Sequence, residues 1–191
     1  MIGNIAAGLY GVGVTPSTTS FESIATTSLT SAQSLISFDT SSLSAYKHLQ
    51  IRYMARSART SDVGATMVIR FNSDSGNNYA YHILYGDGSS AAAYNGSSTN
   101  VTRSYSVASS SSSNTDIYGV GVVDILDFRS TSKYKTLRHL GGYDRNGSGE
   151  LNLASGLWQS TNAITSVDFS LVEATANYEV DSHFALYGIK D

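Results

Sequence analysis

At 191 residues the chain is long enough for one domain with a substantial core. A formal charge of −3, with only 14% of residues charged, offers no basic face for nucleic acid. Cysteine is absent, which excludes disulfides and thiolate metal sites, and no run approaches the roughly 20 apolar residues of a membrane-spanning helix. Ser, Thr, Gly and Asn are abundant, so the surface is solvated by hydroxyls and amides and can be buried against a neighbour with little charge desolvation. Tyr (13) outnumbers Phe (6) and Trp (1), as expected of half-buried strands and interfaces.

Residues 1–19 form a first block, apolar and glycine-spaced to Val14 and ended by the only proline, Pro16. The start lacks a basic region, so no signal peptide is expected. Ile2, Ile5, Leu9, Tyr10, Val12 and Val14 would be an aggregation liability on a free tail, which predicts an extended arm that docks on a partner. Burying six such side chains contributes roughly 1.5–3 kcal/mol each, while ordering fourteen residues costs about 1–2 kcal/mol each. One arm alone therefore binds weakly, and several arms on one oligomer bind well.

Residues 20–191 read as a single β-sandwich. Phe21 to Thr27 and Gln33 to Phe38 are short β-prone runs. Lys47 to Arg56 alternates, with Leu49, Ile51, Tyr53 and Ala55 inward; Ala65 to Phe71 repeats the pattern, and Tyr79 to Tyr85 follows a turn. Gly86 to Ser113 reads as the longest irregular region, with only Val101 to Val107 strand-like inside it. Gly119 to Tyr143 predicts a central hairpin. Its first arm, Val120 to Phe128, reads as buried on both faces, its loop is Arg129 to Ser132, and Gly141-Gly142 is expected to bend or bulge the end of the second arm. A glycine-rich loop, Asp144 to Gly149, precedes Leu151 to Trp158. Ile164 to Leu171 and Ser182 to Ile189 complete about ten strands, the count and spacing of an all-β antiparallel sandwich, jelly-roll-like, with no amphipathic helix.

Chemistry is sparse in this pattern. The four histidines, His48, His82, His139 and His183, lie on different predicted strands without metal-ligand spacing. No Gly-x-Ser-x-Gly elbow is present. Asp124 and Asp127, three apart on one predicted strand, point to opposite faces and cannot form a facing glycosidase pair; Asp124 is expected to pair with Arg138 or a loop amide. Asp144, Asn146 and Glu150 are weak Ca²⁺ candidates, as are Asn72, Asp74 and Asn77, although Asx-turns explain both loops. Asn95-Gly96-Ser97, Asn100-Val101-Thr102 and Asn146-Gly147-Ser148 match a glycosylation acceptor but read as turns. The expectation is a protein that is not an enzyme and holds no cofactor.

Phe71-Asn72-Ser73-Asp74 with Asn77-Asn78-Tyr79, then Val123-Asp124-Ile125-Leu126-Asp127-Phe128, Lys133-Tyr134-Lys135-Thr136, Ser155-Gly156-Leu157-Trp158 and Phe184-Ala185-Leu186-Tyr187-Gly188-Ile189-Lys190 recur in order. Together they resemble small virion structural proteins of tailed bacteriophages, of the capsid-decorating or fibre type. The resemblance covers nearly the whole chain from residue 20. It implies a non-enzymatic β-sandwich built into the virion, assembled in the host cytoplasm, often as a homotrimer, and touching other virion proteins. No repetitive shaft is present, which favours a compact decoration or short appendage. The alternative is a module that binds host-surface glycans, with Tyr94, Tyr105 and Trp158 as stacking platforms.

Overall fold

The computed structural model describes residues 20–60, 64–109, 116–172 and 176–190. The arm residues Ile2, Ile5, Leu9, Tyr10, Val12 and Val14 lie outside them. Among the described residues there are twelve strands: β1 (Phe21–Ser28), β2 (Leu35–Asp39), β3 (His48–Ser57), β4 (Gly64–Phe71), β5 (Tyr79–Gly86), β6 (Ala91–Thr99), β7 (Thr102–Ser109), β8 (Gly119–Ile125), β9 (Lys135–Asp144), β10 (Gly149–Trp158), β11 (Ser166–Leu171) and β12 (His183–Ile189).

They form a long sheet of order β1-β12-β3-β8-β9-β10-β5-β6 and a short sheet of order β2-β11-β4-β7. The pairing is antiparallel except for a short parallel contact that joins the sheets, Arg56 with Ala108 and Ser57 with Ser109. Set aside the β5–β6 and β9–β10 hairpins and the rest is a jelly roll. Counted in chain order, the eight remaining strands form one sheet of order first, eighth, third, sixth and another of order second, seventh, fourth, fifth. The two hairpins extend the long sheet past β8 as a four-stranded wing.

The core lies between the sheets because alternate residues of each strand face inward. Leu49, Ile51 and Tyr53 of β3, Val123 and Ile125 of β8 and Phe184 and Leu186 of β12 meet Met67, Ile69 and Phe71 of β4 and Val167 and Phe169 of β11. Phe184 stacks on Tyr53, with ring centroids 5.6 Å apart, and meets Tyr178 edge-on at 5.2 Å.

Several expectations are corrected. β6 lies inside the stretch read as irregular; it is poor in β-branched residues and is a strand because β5 supplies its hydrogen-bond partners. The first arm of the central hairpin ends at Ile125 and is buried on one face only, since no layer covers Val120 on the other. Asp127 lies in the following loop with a left-handed backbone (φ 49°), not on the strand with Asp124. β9 passes through Gly141 and Gly142 in unbroken register to Asp144, without a bulge. Gly142 is needed for close approach instead, because a Cβ there would clash with the backbone oxygen of Glu150.

Candidate functional site

Most of the polar groups singled out in the sequence are engaged in holding the fold. The Arg138 Nη2 donates to Asp124 Oδ2 at 2.6 Å and the Gln50 Nε2 to Oδ1 at 2.8 Å, so the expected Asp124–Arg138 pair forms. Asp74 accepts from Trp158 Nε1 (2.7 Å), Asn78 Nδ2 (2.8 Å) and the Gly76 amide (2.8 Å). These bonds, that from Asn78 foremost, hold its carboxyl below the usual range. Trp158 is buried and packs between Tyr79 and Phe71, at centroid distances of 6.3 and 5.7 Å. It is therefore no surface platform for a sugar. Its phase on β10, shared with Asn152, Ala154 and Gly156, points it inward.

Tyr94 is exposed on β6 and stacks on Tyr85, with centroids 5.4 Å apart. The side chain of Tyr105 lies outside the described residues. Asp144 and Glu150 do not converge: Asp144 pairs with Gly149 and Glu150 with Tyr143, which puts their side chains on opposite faces of the hairpin. Between them Asn146 (φ 55°) and Gly147 (φ 116°) make a two-residue turn of the type Asn-Gly favours. Asp144 Oδ1 accepts the Asn146 amide at 2.7 Å, so the Asx-turn reading holds. Among the described residues no three His, Asp or Glu side chains gather where they could hold a metal ion. Asn95-Gly96 is part of β6 rather than a turn.

A buried polar chain joins the wing to the sandwich. Tyr53 Oη lies 2.7 Å from His139 Nε2, Ser104 Oγ lies 2.5 Å from His139 Nδ1, and Ser104 Oγ donates to Asn152 Oδ1 at 3.0 Å. With the Ser104 proton on Asn152, its oxygen accepts from His139 Nδ1–H, and Nε2 accepts from the Tyr53 hydroxyl. Burial pushes the ring's pKa down to about 4, so it is neutral near pH 7, in keeping with this arrangement. Four strands, β3, β7, β9 and β10, meet at this point, enclosed by both sheets.

The surface that remains is the outer face of the wing. Register aligns Val122, Leu140, Leu153, Leu84 and Ala93 across β8, β9, β10, β5 and β6, and beside them Val120, Gly142, Leu151, Gly86 and Ala91. These ten positions include no polar side chain. Val120, Leu84, Leu140, Leu151 and Leu153 are 46–63% exposed. An open depression of about 1210 Å³ runs over Gly142 and Gly86 between Val120, Leu140 and Leu151. The sequence carries a signal for this face, since β5 holds Ile83 and Leu84 on successive positions and β10 places Leu151 and Leu153 on the phase opposite Ala154 and Trp158. No family model matches the chain, and neither a curated protein nor a solved structure matches it.

An antiparallel sheet with one wet face normally alternates apolar-in with polar-out. Here β7 of the short sheet lies against the inner side of β9, β10 and β5, and two adjoining rows of the outer side are apolar as well. A continuous dry face of this kind suits contact with another macromolecule better than contact with water.

Proposed function

We propose that the chain is a structural component of a tailed-phage virion, a compact decoration or short appendage that is attached through residues 2–14 and associates through its sandwich faces. The observation that carries this reading is the dry outer face of the wing, on a body whose other prominent side chains are used to hold the fold. The jelly-roll strand order supports it, since that architecture recurs in capsid and lectin domains. So does the low surface charge, which lowers the cost of burial against neighbours. The ordered motifs that resemble virion proteins fall at fold-determining places: Asp74 on Trp158, Phe128 in the core, and Phe184 and Leu186 on the inner face of β12.

The test is to supply particles during assembly with a chain lacking residues 2–14 and to measure its copy number in purified virions by mass spectrometry. The truncated chain is expected to keep the circular-dichroism spectrum and melting midpoint of the full chain and to be missing from particles. Full incorporation overturns the anchoring role. A second reading, recognition of a host-surface glycan, rests on Tyr94, whose exposed ring is held by stacking on Tyr85. Specific hits on a glycan array, lost in Tyr94→Ala, would favour it.

A further inference from the structure

The outer face of the long sheet is ordered by side-chain size as well as by polarity. Along one row, register places Met54, Val120, Gly142, Leu151, Gly86 and Ala91 side by side on β3, β8, β9, β10, β5 and β6. Read from β3 the sizes run large, large, none, large, none, small. Read from β6 they run in the complementary order. A two-fold axis lying in the face, parallel to the strands and between β9 and β10, sets Met54 of one copy against Ala91 of another, Val120 against Gly86, and Leu151 against Gly142. Each bulky side chain meets a position that has little or none.

The neighbouring rows obey the same axis. Arg52 falls opposite Ala93, Val122 opposite Leu84 and Leu140 opposite Leu153, so apolar meets apolar across the centre. In the third row Gln50 falls opposite Asn95, Asp124 opposite His82 and Arg138 opposite Ser155, so polar meets polar. Arg52 at the margin is already engaged by the rings of Phe21 and Tyr187, 5.3 Å from each centroid.

We propose that this face is closed by the same face of a second copy of the chain, packed sheet on sheet about that axis. The proposal rests on the reading of the chain as a self-associating body and names the face and the partner. The contact is isologous, the self-matching kind that closes as a pair. Six strands about 4.8 Å apart and three rows about 6.7 Å apart, with side-chain margins, cover on the order of 600–800 Å². That is near the roughly 800 Å² per partner of a standard stable interface. A single extended segment, such as residues 2–14, would cover one row, and its sequence has no reason to match a two-fold pattern of sizes. The trimer implied by the resemblance would have to use a different face.

The test uses the absence of native cysteine. In one copy Val120 and Gly86 lie three strands apart, about 14 Å, beyond the roughly 7 Å reach of a disulfide; across the axis they face each other. A Cβ at Gly86 makes only an ordinary contact, 3.7 Å from Ser90 O, so Gly86→Cys is sterically accommodated. The full-length double variant Val120→Cys/Gly86→Cys is expected to give, under mild oxidation, a covalent dimer near twice 20.3 kDa, and each single variant none. Sedimentation of the unmodified chain should show an even-numbered assembly. Leu153→Glu should weaken it by at least ~100-fold, while Leu126→Glu, exposed beyond the three rows, leaves it unchanged.

A monomer at about 50 µM or a trimer indifferent to Leu153→Glu overturns the pairing, as does equal cross-linking of the single variants. Dissociation on removing residues 2–14, with Leu153→Glu silent, would give the face to the arm and also overturn it. Copy number in particles is measured separately. A monomeric chain that still enters virions sinks the pairing and leaves the virion reading standing.

Discussion

The two halves of the long sheet put the same period-two alternation to different ends. In the jelly-roll half, β1, β12, β3 and β8, the inner positions are large, Ile51, Tyr53, Phe184 and Leu186 among them, and the outer ones satisfy one another. Arg52 lies on two aromatic rings, Gln50 and Arg138 hold Asp124, and Glu22 accepts from Lys190 and Tyr46, each at 2.6 Å. In the wing both sides carry bulk. The inner side holds Tyr79, Tyr81, Ile83, Leu137 and Trp158, and the outer side holds Leu84, Leu140, Leu151 and Leu153. The jelly-roll half is therefore largely finished as a monomer, apart from Met54, Val120 and Val122 on the margin that adjoins the wing. The wing is held from within by two joints, the Trp158 cluster and the His139 chain, among other contacts, and its outer face is the one the proposed pairing covers.

That contrast breaks most readily at the first joint. Trp158→Ala removes a fully enclosed ring and leaves Asp74 without one of its donors, and is expected to cost about 3–5 kcal/mol. Urea unfolding followed by circular dichroism checks it, since the variant loses the only Trp fluorescence signal. If the wing depends on the sandwich through this joint, the variant unfolds in one transition with a lowered midpoint. Two separated transitions would mean that the wing is an independent unit.

What could be read in the chain follows the same division. The jelly-roll strands were legible because a two-sheet core demands clean alternation, as in Leu49, Ile51, Tyr53 and Ala55. The Asn146-Gly147 turn was legible from local backbone chemistry, and the Asp124–Arg138 pair from two oppositely charged residues on the two arms of a predicted hairpin. The wing was not. β6 has little strand propensity of its own, and its partner β5 reaches the sheet through β10, nearly eighty residues later in the chain where Trp158 lies opposite Tyr79, a long-range pairing no local pattern encodes. Trp158 was misplaced because it was read by residue type, when its phase with Ala154 and Gly156 already placed it inside. The outer leucines passed for ordinary strand residues because a strand with both phases apolar reads as buried, and nothing local says that one layer is missing.

The second joint gives a smaller effect with its own pH window. His139 has a folded pKa near 4, below the roughly 6.5 of an unfolded chain. Protonation therefore favours unfolding. The stability due to the neutral ring is fully present above about pH 6.5 and is lost as pH falls toward 4, by about 3 kcal/mol in all. The depressed carboxyls of Asp74 and Asp127 act in a lower window, since their contribution is lost only as pH falls below the unfolded value near 4 and through their own lower pKa. Denaturation midpoints measured at half-unit steps from pH 7.5 to 4.5 should fall steadily below 6.5. A flat profile there would mean that the ring is not confined as a neutral group between the sheets.

The smallest expected effect bears on the outer face itself. Leu84→Thr places a β-branched residue on β5 and removes only surface that the monomer already exposes, so in protein dilute enough to be monomeric it should change unfolding free energy by no more than ~0.5 kcal/mol. The matching inward change, Ile83→Thr, one residue away on the same strand, buries a hydroxyl and removes a methyl group from the inner side, and should cost several times more. The ratio of the two is the sharpest measure of the contrast between the faces. If Leu84→Thr costs about 2 kcal/mol or more in dilute solution, the magnitude expected when a buried side chain is truncated, the face is covered within a single copy. Residues 1–19 would then be the only stretch long and apolar enough to cover it, and the arm would be part of the fold rather than an anchor.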